Sequence, residues 1–210
     1  MRLGLFGGTF DPIHLGHLIL AEQCRESCGL DRVWLVVAGS PPHKPGGRTA
    51  VGHRLEMARI AIAGQPAFAV SDIEATRPGP HYSVETLESI RRDHPGDELF
   101  FLIGADSLAD LPSWREPERI AQLATIVVVN RPGLEEVDPA RLPDFGPGAH
   151  RLVAVTIPPV GLSSSDLRRR LAASRSIRYM VPRGVEAYIE AHGLYRSRAG
   201  GQDQASDPST

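Results

Sequence analysis

Short, continuously apolar runs alternate along this chain with longer stretches in which apolar residues return every three or four positions. Leu3 to Phe6, Val33 to Val37, Phe68 to Val70, Leu99 to Ile103, Thr125 to Val129 and Leu152 to Ile157 read as buried strands. Leu15 to Cys28, Gly52 to Ala63, Ser83 to Asp93 and Val185 to Ala191 read as helices. Gly29 and Gly64 stand where the first two helices should stop. Ser83 is the expected cap of the third, with Thr86, Leu87 and Ile90 on its inward face. Strands apolar on both faces need helices on both sides, which predicts an α/β fold with a doubly wound, mostly parallel sheet. Such sheets bind ligands beyond the carboxyl ends of the strands, where the strand order reverses. The loops after Phe6, Val37, Val70 and Ile103 are expected there. Gly133 to His150, rich in Pro and Gly, reads as a surface insertion. Arg196 to Thr210 lacks any large apolar residue and reads as a disordered tail. Residues 1–195 then form a single domain.

Composition narrows the function classes. The chain has 210 residues and a formal charge of −2, which argues against a broadly basic surface for coating nucleic acid. Two cysteines exclude a disulfide framework and a four-cysteine zinc site. Cys24 and Cys28 lie one helical turn apart without His or carboxylate companions, so both are read as core. No run of 18 apolar residues is present and the first residues do not pattern as a signal peptide, so the expected location is a reducing cytoplasm, with no membrane span.

The chemistry concentrates in the first loop, Gly7-Gly8-Thr9-Phe10-Asp11-Pro12-Ile13-His14-Leu15-Gly16-His17. Glycines let backbone N–H groups approach a ligand, and the start of the following helix favours a phosphate. His14 and His17, three residues apart, fall on one helix face and can serve one phosphate. Gly16 between them is expected to leave room for a nucleotide. The motifs of P-loop proteins, dinucleotide-binding dehydrogenases, HExxH zinc enzymes and serine hydrolases are all missing.

Thr9 to His17 resembles the T/H-x-G-H signature of the nucleotidyltransferase superfamily. Further segments resemble the bacterial nicotinate-nucleotide adenylyltransferases in particular. They are Pro41-Pro42-His43-Lys44, Gly79 to Leu87, Phe101 to Asp106 with Trp114, Asn130-Arg131-Pro132-Gly133, and Leu162 to Arg168. The resemblance runs from about Arg2 to Tyr195 and implies a Rossmann-like nucleotidyltransferase. The implied reaction moves the adenylyl group of ATP to nicotinate mononucleotide, releasing pyrophosphate, with Mg²⁺ carried by ATP and no metal held by protein side chains.

By the same resemblance Gly7, Gly8, Thr9, Phe10, His14, His17, Gly104, Asp106, Ser163, Ser164 and Arg168 would serve ATP, with His14 and His17 catalytic. Lys44, Thr86, Trp114 and Arg131 would hold nicotinate mononucleotide, Trp114 as a stacking platform. Ser163 to Arg168 departs mildly from the family's I-S-S-T-x-x-R, with Leu162 for Ile and Ser165 for Thr. Glu85 stands where many relatives have Asp, and Arg115 where an aromatic is common. Transfer to nicotinamide mononucleotide or phosphopantetheine stays open as the alternative, and so does homo-oligomerisation. A binder that has kept the pocket and lost turnover is disfavoured by the joint presence of His14, His17, Lys44 and Arg168.

Overall fold

A computed structural model of the chain describes residues 1–39, 49–130 and 152–196. Six strands form one parallel sheet: β1 (Arg2–Gly8), β2 (Arg32–Val37), β3 (Phe68–Ser71), β4 (Glu98–Gly104), β5 (Thr125–Asn130) and β6 (Leu152–Thr156). Their order is β3-β2-β1-β4-β5-β6, so β1 and β4 are neighbours and the winding reverses between them. The doubly wound reading holds, and each predicted strand is present with its ends moved by at most two residues, the largest shift being the extension of β1 from Phe6 to Gly8.

The two faces of β1 show why both sides need cover. Leu3 and Leu5 belong to one buried cluster and Phe6 to the other, as alternation along a strand requires. On the Phe6 side lie α1 (Leu15–Ser27), α2 (Val51–Ala61), α6 (Ser164–Ala172) and α7 (Arg183–Ala191), which contribute Leu20, Met57, Leu167 and Val185. On the other side lie α3 (Ser83–Asp93), α4 (Ala105–Asp110) and α5 (Pro117–Leu123), which contribute Leu87, Leu108 and Ile120. Cys24 and Cys28 are both buried in the first cluster, as read.

One local expectation changes and further short elements are added. The cap of α3 is Tyr82 rather than Ser83, and no side chain caps that end. A short helix and a 3-10 turn, Leu111–Ser113, occupy the stretch between β4 and Trp114. Pro117 then opens α5, where a missing N–H costs nothing. The insertion 133–150 and positions 197–210 lie outside the described residues. No helix among the described residues is long and apolar enough to cross a membrane.

Candidate active site

A cleft of about 370 Å³ opens over the carboxyl ends of β1, β2 and β4, at the reversal of strand order. Its floor includes Phe6, Gly7 and Gly8 from β1, Val36 from β2 and Phe101 to Gly104 from β4. Thr9 and His17 flank one part; Tyr82, Trp114 and Arg115 flank another.

The first loop is built around its histidines. His14 caps α1 in extended conformation and is buried, and its ring stacks on that of His17 at 3.7 Å between centroids. The backbone N–H of His14 donates to Nδ1 of His17 at 3.2 Å. In the neutral ring the His17 proton therefore sits on Nε2, which makes that atom a donor on a side chain that lines the cleft. Phe10 meets His17 edge-on at 5.0 Å and Phe6 at 5.5 Å, so the pair rests on an aromatic base.

The glycines divide the labour differently from the sequence reading. A Cβ on Gly7 or Gly104 would meet nothing within 4 Å, which leaves their backbone open to the cleft. A Cβ on Gly8 would strike the Phe10 ring at 2.7 Å. Gly16 was expected to clear space for a nucleotide; an added Cβ there would instead press on the His14 ring at 3.0 Å and on Val160 at 3.2 Å. Gly16 thus admits the His14 ring. The start of α1 is also partly spent, because Leu15 N–H donates to the Met180 carbonyl at 3.0 Å.

The α6 end arrives beside this loop. Ser163 caps α6 by accepting from Asp166 N–H at 3.1 Å. Ser164 donates to the Pro12 carbonyl at 2.9 Å, and Arg168 Nη1 donates to the Asp11 carbonyl at 2.7 Å. The Asp11 side chain is buried and accepts from the Tyr195 hydroxyl at 2.6 Å and from Thr49 N–H at 3.4 Å. Burial first, then the bond to Asp11, pushes the Tyr195 phenol well above its ordinary value, so it stays a donor.

On the other flank Trp114 ends the 3-10 turn and meets Phe101 edge-on at 6.2 Å. Arg115 lies over the Tyr82 ring at 4.7 Å and pairs with Glu85 at 2.9 Å. Thr86 is buried behind the wall and does not line the cleft. Its hydroxyl donates to Glu74 at 2.9 Å and accepts from Arg77 at 3.1 Å. Asp106 is the second residue of α4, whose cap is Gly104. Lys44 and Arg131 lie outside the described residues. The sequence reading placed Asp11 in the first loop and His81 in the Gly79 to Leu87 segment without giving either a role, and it singled out none of Arg54, Glu74 and Tyr195. Only Arg54 carried a local signal: it sits on the apolar stripe of α2 with Val51, Leu55 and Ala58.

The sequence model of the cytidylyltransferase-like family matches residues 5–170. A Thermus thermophilus protein named probable nicotinate-nucleotide adenylyltransferase is 53% identical over 198 residues, covering 93% of this chain and 100% of the relative. A Thermomicrobium roseum protein of the same name is 51% identical over 198 residues, covering 93% and 92%. Among solved structures, the nicotinic acid mononucleotide adenylyltransferase of Plasmodium falciparum complexed with NaAD superposes with a TM-score of 0.75 at 21% identity, covering 92% of this chain and 97% of that one. That likeness supports the fold, while the close relatives decide the lineage. The chain belongs to the cytidylyltransferase-like family, among the members that bear the nicotinate-nucleotide adenylyltransferase name.

Proposed function

We propose that this chain transfers the adenylyl group of ATP to nicotinate mononucleotide, giving nicotinate adenine dinucleotide and pyrophosphate. One observation carries the reading beyond family membership. A single cleft joins the paired-histidine loop to an aromatic wall of Tyr82 and Trp114, so a phosphate end and a flat ring end share one space.

A phosphate oxygen of nicotinate mononucleotide attacks the α-phosphorus of ATP, and the bond from that phosphorus to the bridging oxygen breaks. Pyrophosphate leaves with the electron pair. The attacking phosphate is already an anion, so catalysis rests on positioning and on donors to developing charge rather than on a base. His17 Nε2–H is the donor for the α-phosphate, with His14 stacked behind it. The open backbone at Gly7, the turn at Gly8 and Thr9, and Gly104 with Asp106 serve ATP; Phe10 supports the histidines. Ser163, Ser164 and Arg168 present the α6 start beside the same loop. Mg²⁺ carried by ATP would neutralise charge on its phosphates.

Trp114 stacks on the pyridine ring, a contact of about 1–3 kcal/mol for aromatic–base pairs. Thr86 acts from behind, its hydroxyl holding Glu74, which lines the pocket. Lys44 and Arg131 are assigned to the mononucleotide on resemblance alone. The test is pyrophosphate release with MgATP and, separately, nicotinate mononucleotide, nicotinamide mononucleotide and phosphopantetheine. Preference for the first acceptor supports the assignment. Preference for another leaves adenylyl transfer standing and removes the reading of Trp114.

A further inference from the structure

Arg54 is almost wholly enclosed, at 2% exposed, and its side chain does not line the cleft. It reaches out from the first turn of α2 to four carbonyl oxygens on three separate stretches of backbone. Nη1 donates to Thr9 at 2.9 Å and to Ala38 at 2.6 Å. Nε donates to Thr49 at 3.0 Å and Nη2 to Gly39 at 3.4 Å. Thr9 follows β1 and Ala38 follows β2, and both line the cleft. Gly39 packs against His81, another lining residue: a Cβ there would lie 2.7 Å from the ring.

We infer that Arg54 is a positioning residue for adenylyl transfer, setting the spacing and tilt of the first two strand-end loops from behind the cleft. The inference rests on the function proposed above. A peptide unit is planar, so holding the Thr9 and Ala38 carbonyls fixes the planes that carry the N–H groups of Phe10 and Gly39. A guanidinium can do this because its donors form a rigid, permanently charged fork. Lysine keeps the charge but offers one nitrogen, which cannot span three stretches of backbone at these distances. Two substrates that meet in line tolerate little error, and a misplacement of about 1 Å costs on the order of a hundredfold.

The experiment compares the parent chain with Arg54→Lys and Arg54→Ala in pyrophosphate release from MgATP and nicotinate mononucleotide, below the unfolding midpoint of each and scaled to the folded fraction. The expected result is a kcat lower by on the order of a hundredfold in both variants, with either KM moving by less than about threefold. Millimolar guanidinium should return about tenfold of that loss to Arg54→Ala, with potassium chloride at equal ionic strength inactive. An Arg54→Lys variant with parental kcat overturns the inference, as does a rise in KM alone. So does a folded Arg54→Ala that guanidinium leaves unchanged; if that variant does not fold, Arg54→Lys decides. A parent chain that releases no pyrophosphate defeats the function reading and this inference together, whereas an active parent with an indifferent Arg54→Lys defeats the inference alone.

Discussion

His17 is held on three sides, by the His14 ring, the Phe10 edge and the His14 backbone N–H, and this decides what its removal does. On the proposed role of His17, His17→Ala removes one donor to the transferring phosphate and should lower kcat by roughly a few hundredfold. Turnover within twofold of the parent would remove His17 from the chemistry. The cysteines give a contrasting prediction. Burial pushes the Cys24 thiol up to about 12, and burial raises Cys28 as well. The native chain should therefore resist maleimide or iodoacetamide at pH 8, with both thiols reacting once it unfolds. The folded state favours the neutral thiol, so stability from this source is intact below the ordinary thiol value of 9.0 and falls as pH rises from there toward 12. Fast labelling of the folded chain would refute the packing of α1. At this scale the candidate donors were legible, because two histidines around a glycine are an unusual local pattern. Asp11 and Tyr195 were not, since their contact spans 184 positions and leaves no trace in local spacing.

Elements were legible in proportion to how completely they are buried. The strands declared themselves because both of their faces are apolar. α4 and α5 stayed hidden because they are only six and seven residues long, too short for a helical repeat to emerge. The start of α6 carries a serine cap, and that cap makes its own prediction. Ser163→Ala removes the acceptor for Asp166 N–H and should destabilise the fold by about 1 kcal/mol. For a chain of this size that lowers the thermal midpoint by about 2–4 °C. Because α6 also delivers Ser164 and Arg168 to the first loop, KM for ATP should rise in the same variant. An unchanged midpoint would mean that the cap contributes nothing.

At the scale of the molecule, the cleft lies where the strand order reverses, and its walls come from elements distant in sequence. That placement followed from the alternation of strands and helices. The braces behind the walls did not, because they are contacts between helices and loops that no periodicity encodes. The most distant brace is testable: Tyr195→Phe leaves Asp11 buried and short of one donor, at a cost of about 1–3 kcal/mol. Urea unfolding should show the loss as a shifted midpoint with unchanged slope. A midpoint equal to the parent's would show that the Tyr195 bond does not support the first loop.

The tie between Asp11 and Tyr195 also sets a schedule for the chain as it is made. The first loop leaves the ribosome early, but its partner follows 184 residues later. At about 5–20 residues per second, roughly 10–40 s separate the two. During that interval the nascent chain holds the paired histidines without the Tyr195 brace of their loop, which closes only after Tyr195 has emerged.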